Sequence, residues 1–266
     1  RNCSTRPDGR HGHRRGYQRR NGSTGICRRT RILMDITVIA SGSSGNAYRI
    51  SDGDTALLLD AGIPLQRIKQ ALNFRVRDLA GCLITHAHGD HAKAAGDLAK
   101  AGVDVYTSQG TIDACRLTGH HMKPMKALQE VMIGTFAVLP FDVQHDAPEP
   151  LGFLLTSRRT GEKLLYFTDT YYLKYRFTGL THIMGECNYS MDIVEQSVRN
   201  GYIPPELVPR LVKSHMSLEH FLDLLKANDL HEVKQIYLLH LSNNNSDAER
   251  FREAVQKLTG TEVYVC

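Results

Sequence analysis

The chain has 266 residues and a net charge of +5, and 41% of its residues are hydrophobic, enough for one large α/β core or two small ones. No stretch approaches the roughly 20 consecutive apolar residues of a membrane helix, and no short apolar run follows the basic N-terminus as in a secretory signal. The six cysteines include no Cys-x-x-Cys pair, so neither a zinc knuckle nor a disulfide framework is indicated. We expect a globular protein of the cytoplasm with reduced thiols and no membrane partner.

Residues 1–33 are predicted to be a basic, low-complexity N-terminal extension, and residues 34–266 a single folded domain. The extension contains ten arginines and one aspartate, a local charge of +9, which leaves −4 for the rest of the chain. It is rich in Arg, Gly, Ser and Asn and has too few apolar side chains to bury a core. We interpret it as an artificial or upstream-translated addition, and the alternative is an arm that binds nucleic acid.

Strand-like and helix-like patterns alternate from Asp35 onward. The first strands are predicted at Asp35–Ala40, Ala47–Ile50, Ala56–Leu59, Cys82–Thr85, Val103–Tyr106 and Phe136–Val143, and the first helices at Leu65–Leu72, His91–Ala101 and Thr111–Leu117. A hairpin of Gly152–Thr156 and Lys163–Thr168 follows. The last third predicts helices at Asp192–Arg199, Pro205–Lys213 and Leu218–Ala227, a strand at Gln235–Leu239, a helix that begins with a capping box at Ser246, and a strand at Glu262–Val265. Strands before and after residue 150 favour an α/β sandwich of two sheets with helices outside.

Three histidines and an aspartate follow the predicted fourth strand within six positions: His86, His88, Asp90 and His91. The strand end and the next loop can direct the first two at one ion, while the other two, at the start of a helix, turn toward a second. Their nitrogen and oxygen donors suit Zn²⁺, and also Mn²⁺ or Fe²⁺. Gly89 is expected to allow a tight turn between them. The alternative, a His-rich surface loop, leaves the agreement of strand, spacing and helix unexplained.

This His-x-His-x-Asp-His pattern after a strand resembles the signature of the metallo-β-lactamase superfamily. The resemblance implies a four-layer αββα sandwich and further ligands at later strand ends. It assigns His86, His88 and His145 to one metal, Asp90, His91 and His240 to a second, and Asp169 to both. Taken singly, His145, Asp169 and His240 could each be a capping residue or a residue of the core.

Two such ions about 3.5–4 Å apart can share a water, lower its pKa to give a bridging hydroxide, and clamp the entering and leaving oxygens of a hydrolysed bond. Asp90 is then expected to orient the nucleophile as well, because a carboxylate beside a metal can accept its hydrogen bond.

Further motifs resemble the YycJ/WalJ-like branch of the superfamily, whose members are regarded as DNA exonucleases. They are the Gly/Ser-rich loop at 41–46 and the segments that begin at His145, Phe167 and His240, and the resemblance covers about residues 34–266. It implies DNA as the favoured substrate, with RNA less favoured. By motif order, His215 with Glu186 are candidates for the acid that protonates the leaving oxygen. The alternative is that His215 caps the nearby helix or binds a phosphate.

The rim of such a site needs cations for phosphates and can use aromatic rings for bases. Candidate rim residues are Arg158, Arg159, Lys174, Arg176, Arg210, Lys213, Tyr171, Tyr172 and Tyr175, although an ordinary solvated surface explains each equally well.

Two other functions remain open from the sequence. The same chemistry could hydrolyse a β-lactam or another small cyclic amide or thioester, and the mildly acidic domain favours such a small-molecule substrate. A metal-binding module without turnover is the alternative of another class, and the complete set of expected ligands argues against it. The oligomeric state is left open.

Overall fold

The computed structural model describes residues 33–266, so the predicted extension lies outside the described residues apart from Leu33. The first of its two sheets has six strands in the order β1-β2-β3-β4-β5-β6. The first three strands pair antiparallel, and β3 to β6 run parallel. The strands are β1 (Asp35–Ala40), β2 (Ala47–Ser51), β3 (Ala56–Leu59), β4 (Leu79–Leu83), β5 (Val105–Ser108) and β6 (Met122–Met125).

The second sheet has seven strands in the order β13-β12-β11-β10-β9-β8-β7. Its strands β10 to β13 run parallel, and β7 to β10 form an antiparallel meander. The strands are β7 (Val131–Ile133), β8 (Phe136–Asp142), β9 (Leu151–Ser157), β10 (Lys163–Phe167), β11 (His182–Glu186), β12 (Gln235–Leu239) and β13 (Glu262–Val265).

Helices cover the outer face of each sheet, which confirms the predicted four-layer αββα sandwich. Ile68 and Leu98 pack on the outside of the first sheet, and Phe221 and Phe251 pack on the outside of the second. The helices are α1 (Leu65–Ala71), α2 (Gly89–Ala92), α3 (Ala95–Lys100), α4 (Gln109–Ala114), α5 (Met191–Arg199), α6 (Val208–Ser214), α7 (Leu218–Ala227) and α8 (Ala248–Thr259).

The central strands are apolar on both faces because both faces are buried. Successive strand side chains point to opposite sides of a sheet. In β10, Leu164 and Tyr166 therefore enter the core between the two sheets, while Leu165 and Phe167 enter the core under the helices. The unbroken apolar run of this strand thus follows from its position inside the sandwich.

Several predicted elements need correction. The predicted helix His91–Ala101 is two helices, α2 and α3, and three strands, β6, β7 and β11, were not predicted. The last helix begins at Ala248 and not at Ser246, because the Asp247 carboxylate accepts from Arg250 N and acts as the N-cap. The Ser246 hydroxyl donates instead to the Ser242 carbonyl.

Within residues 33–266, no helix combines the length and the apolar character needed to cross a membrane. The four cysteines in this part of the chain, Cys82, Cys115, Cys187 and Cys266, form no disulfide with one another.

Candidate metal centre

Four strands end at one edge of the sandwich, and each leads into predicted site residues. The loop after β4 carries His86 to His91, and His145, Asp169 and His240 follow β8, β10 and β12. Asp169 and His240 have positive φ angles of 46° and 54°, so the chain turns sharply directly after each strand. The turn brings both side chains back over the sheet edge, where all seven predicted ligands meet.

The first donor group contains His86, His88, His145 and Asp169, with donor atoms within 4.8 Å of one another. His88 Nδ1 lies 3.1 Å from His86 Nε2 and 3.1 Å from His145 Nε2. Asp169 Oδ2 lies 3.7 Å from each of those two Nε2 atoms. Three imidazole nitrogens and one carboxylate oxygen therefore converge on a single point.

The second donor group contains Asp90, His91, Asp169 and His240. Asp169 Oδ1 is 3.3 Å from His91 Nε2 and 3.7 Å from His240 Nε2. Asp90 Oδ2 is 3.5 Å from His91 Nε2 and 3.3 Å from His240 Nε2. Asp169 thus belongs to both groups, with one oxygen turned toward each.

Outer hydrogen bonds fix which ring nitrogens carry a proton. His145 Nδ1 donates to the Ser214 carbonyl at 3.0 Å, and His91 Nδ1 donates to the Asp60 carboxylate at 2.8 Å. The Asn46 amide lies 3.1 Å from His91 Nε2 and donates to it. Both Nε2 atoms therefore carry a lone pair. That of His145 is free for a cation, whereas that of His91 accepts from the Asn46 amide, which a bound cation would displace.

The spacing of these lone pairs fits a divalent cation. Two nitrogens that are each about 2.0–2.1 Å from one tetrahedral zinc lie about 3.3–3.4 Å apart, close to the 3.1 Å separations around His88. Electron pairs this close repel one another unless a positive charge lies between them. The nitrogen and oxygen donors suit zinc, manganese and iron alike.

Asp60 is a buried carboxylate that the sequence analysis missed. Its Oδ2 accepts from His91 Nδ1 at 2.8 Å and from the Tyr166 hydroxyl at 2.6 Å, and its Oδ1 accepts from Thr85 N at 2.8 Å. The Thr85 hydroxyl also donates to Asp60, so it accepts from His86 Nδ1 at 3.0 Å. Asp60 thereby orients one histidine of each group. The sequence did contain a signal for Asp60, because this carboxylate directly follows the apolar run of β3, the strand that pairs with β4.

The electrostatics of the centre favour ionised carboxylates and shift the pKa values of its imidazoles in opposite directions. Burial and the neighbouring His91 lower the pKa of His86, and burial lowers the pKa of His145. Burial opposes the charge of Asp169, but His91 and His240 hold its pKa well below the ordinary value. Burial likewise opposes a proton on His91 and His240, but Asp169 raises the pKa of both imidazoles. A cation bound there would displace those protons, because histidine binds a metal in its neutral form.

His215 and Glu186 form a hydrogen-bonded pair beside the centre. His215 Nδ1 donates to Glu186 Oε1 at 2.6 Å, and Glu186 Oε2 accepts from the backbone of Thr170 at 2.9 Å and Met216 at 3.2 Å. Burial opposes a proton on His215, yet the Glu186 charge and hydrogen bond raise the pKa of the imidazole to about 9. The Glu186 side chain is fully buried, whereas 22% of the His215 side chain is exposed.

Two of the predicted rim cations do not lie at the centre. Arg158 and Arg159 occupy the turn before β10, at the opposite end of that strand from Asp169, and they pair with Glu130 and Asp54. These two candidates therefore fit the alternative of an ordinary solvated surface, because a hairpin turn and the far end of its strand face opposite edges of a sheet.

Two other rim cations, Lys174 after β10 and Arg210 in α6, are each paired with an acidic side chain. Lys174 binds Asp142 at the end of β8, and Arg210 pairs with Asp146 at 3.2 Å. Their charge is partly neutralised before any phosphate arrives.

The backbone at Gly62 holds the loop that carries Asp90 and His91. Gly62 N donates to the Asn46 carbonyl and Asn46 N to the Asp90 carbonyl, each at 2.8 Å, and Ala61 N donates to the His91 carbonyl at 2.7 Å. A Cβ at Gly62 would lie 1.6 Å from the Asp90 carbonyl oxygen. A side chain there is incompatible with this approach of the two backbones.

We therefore expect Gly62→Ala to displace Asp90 and His91, with a lower thermal midpoint and the loss of at least one bound metal ion per chain. Gly89→Ala is the matched control, one residue before Asp90. Gly89 lies in α2, and a Cβ there would meet no atom within 4 Å. The backbone at this position therefore does not require glycine, contrary to the expectation of a tight turn. Melting curves and elemental analysis of both variants provide the measurement, and equal behaviour of the two would contradict the role of Gly62.

Comparisons with known proteins agree with this geometry. The family model of the beta-lactamase superfamily domain matches residues 55–241, more than half of the chain. The chain is 29% identical over 236 residues to the exodeoxyribonuclease YycJ of Bacillus anthracis, a match that covers 85% of this chain and 89% of that protein. It is also 29% identical over 230 residues to the exodeoxyribonuclease WalJ of Streptococcus pneumoniae, covering 80% of this chain and 83% of that protein.

Among solved structures, the fold is similar to that of the metallo-beta-lactamase fold protein YhfI from Bacillus subtilis. The TM-score is 0.67 at 19% identity, and the match covers 88% of this chain and 96% of that one. The sandwich carries its candidate donor residues at the strand ends, and the family model matches most of the chain. The chain belongs to the metallo-β-lactamase superfamily of hydrolases.

Proposed function

We propose that the chain is a dinuclear-metal-dependent phosphodiesterase that degrades DNA from an end. The observation that carries the proposal is Asp169, whose two oxygens face two separate groups of donor atoms. DNA is favoured because two relatives that match 80% or more of the chain are named exodeoxyribonucleases. All donors are nitrogen or oxygen, so zinc is the favoured metal, with manganese and iron as alternatives.

The proposed ligands are His86, His88 and His145 for one ion and Asp90, His91 and His240 for the other, with Asp169 shared. When bound, such ions supply Lewis acidity toward the phosphate and lower the pKa of a water molecule. The chain itself orients the attacking water. The Asp90 side chain is 24% exposed whereas that of Asp169 is 4% exposed, so Asp90 is the carboxylate that can accept a hydrogen bond from that water.

His215 is the proposed general acid. Its Nδ1 is held by Glu186, and among residues 33–266 its Nε2 has no hydrogen-bond partner. The ring lies between those of His145 and His240, with centroids 5.8 Å and 5.5 Å away. Nε2 is therefore the atom that can give a proton to the departing oxygen, while Glu186 acts through His215 as a positioning residue. Glu186 is not a proposed metal ligand, because hydrogen-bond donors already occupy both of its oxygens.

The direct test is to incubate metal-loaded protein with end-labelled DNA, matched RNA and a chromogenic β-lactam. We expect short products released progressively from DNA, slower cleavage of RNA and negligible opening of the β-lactam. Asp90→Ala, which removes both a ligand and the water-orienting carboxylate, should abolish DNA cleavage and serves to exclude a contaminating nuclease.

Two results would overturn the proposal. Faster hydrolysis of the β-lactam than of DNA would assign the centre to cyclic amides. Bound metal without turnover of any of the three substrates would identify a binding module.

A further inference from the structure

A cavity of about 410 Å³ lies beside the metal centre, between the segment that follows Asp169 and helix α7. Its floor is apolar and includes the buried side chains of Leu173 and Met216. Its rim is aromatic and cationic and includes Tyr172 and Arg176. The Tyr172 side chain is not packed away in the core, since 54% of the residue is exposed.

The cavity is joined to the candidate catalytic residues by short connections. Met216 lies in the floor, directly after His215, and its backbone N–H donates to Glu186 Oε2 at 3.2 Å. The Thr170 hydroxyl donates to the Tyr172 carbonyl at 2.9 Å, and its backbone N–H donates to Glu186 at 2.9 Å. Two residues separate Asp169 from Tyr172, and the three Cα–Cα steps between them span at most about 11 Å. The Tyr172 end of the cavity therefore lies within about 11 Å of Asp169, close enough for one nucleic-acid strand to reach both.

Among the charged side chains at the rim of the cavity, the Arg176 guanidinium is the cation available to a ligand. Lys174 is bound to Asp142, and Asp223 is paired with Lys226 at 3.0 Å. In the part of the chain that the structure describes, Arg176 has no ion-pair partner. An apolar floor, an exposed ring and an unpaired guanidinium match a flat aromatic base that is attached to a phosphate.

We propose that this cavity binds one nucleobase of the substrate strand, next to the scissile phosphate. The base stacks on Tyr172, and Arg176 contacts a neighbouring phosphate. The inference rests on the proposed function, because it takes the substrate to be a nucleic acid. Stacking accepts every base but requires an unpaired one. The site thus selects frayed or single-stranded ends and is indifferent to sequence.

A fluorescence measurement tests base binding without relying on turnover. The chain contains no tryptophan, so Tyr172→Trp introduces a single tryptophan at the cavity, which can be excited selectively over the tyrosines. In metal-loaded protein we expect saturable quenching by deoxyadenosine monophosphate and none by deoxyribose 5-phosphate, which lacks the base. Phe74→Trp is the control, because Phe74 is 67% exposed and precedes β4, at the opposite end of that strand from His86. Equal quenching by both probes, or equal quenching in both variants, would overturn the proposal.

A kinetic cycle tests the same site on an oligonucleotide. Loss of one stacking contact weakens binding by about 5- to 100-fold, so Tyr172→Ala should raise KM by that factor with a smaller effect on kcat, and Tyr172→Phe should restore KM. On a strand whose terminal two nucleotides are abasic, the two substitutions should make little difference, because no base is left to stack. An equal rise in KM on both strands would refute stacking. If the unaltered protein cleaves no DNA, the proposed function fails, and the quenching experiment still decides whether the cavity binds a base.

Discussion

Replacing His88 by alanine should reduce the bound metal from two ions per chain to one or fewer and abolish hydrolysis. His88 Nδ1 is 3.1 Å from His86 Nε2 and from His145 Nε2, so its removal leaves the first donor group with two histidines and Asp169. Loss of a partner outside the first coordination shell already costs about 10- to 100-fold in metal affinity or activity. Loss of a direct ligand should cost more than 100-fold. Elemental analysis after metal-replete purification, together with the DNA assay, provides the measurement.

His121→Ala is the matched histidine control for that experiment. His121 Nδ1 contacts Asp104 Oδ1 at 2.7 Å, on the loop before β6, and the residue belongs to neither donor group. This variant should keep both ions and its activity. A His88→Ala protein that still binds two ions would show that the first group is not a metal site.

His215→Ala should retain both ions but slow DNA cleavage by at least about 100-fold, since general acid catalysis contributes about 10²–10⁴-fold. The alkoxide that leaves DNA is a poor leaving group and needs a proton, whereas nitrophenolate does not. The loss on a nitrophenyl phosphodiester should therefore be much smaller. The measurement is kcat on both substrates, with metal content determined on the same preparations.

The comparison between the two substrates separates the proposed role from the alternatives. An equal loss of kcat on both would mean that His215 binds substrate or supports the fold. A loss of metal would instead make His215 a ligand, as its nearness to Asp169 and His240 would also allow. Glu186→Gln keeps the size of the side chain but removes the charge beside His215 Nδ1, and it should reproduce the same substrate dependence more weakly.

The candidate ligands could be proposed from sequence because His86 to His91 are close in the chain and because the resemblance to the superfamily pointed to the residues after later strands. The strands before His86 and His240 were predicted from apolar runs, and the predicted metal residues do meet at one sheet edge. Asp60 escaped prediction because its partners are distant: Tyr166 is 106 positions away and reaches it only after the two sheets pack. Local patterns carry no information about such a contact.

The missed strand β11 shows a second limit of sequence reasoning. It is buried along its whole length, yet it begins with a histidine and ends with Gly185 and Glu186. Gly185 is required by packing, because a Cβ there would lie 2.2 Å from the ring of Phe167. Glu186 is placed to hold His215. Gly185 and Glu186, which make this segment look unlike a strand in sequence, are thus both fixed by tertiary contacts.

Each donor group draws on both sheets, since residues 86–91 follow a strand of the first sheet and His145, Asp169 and His240 follow strands of the second. A cation bound there would therefore link the two sheets at this edge of the sandwich. Because the unfolded chain cannot assemble these ligands, the free energy of metal binding adds to the free energy of unfolding. The proposed ions would thus stabilise the folded protein as well as supply its chemistry, and we expect a variant without any turnover still to melt earlier when its metal is withdrawn.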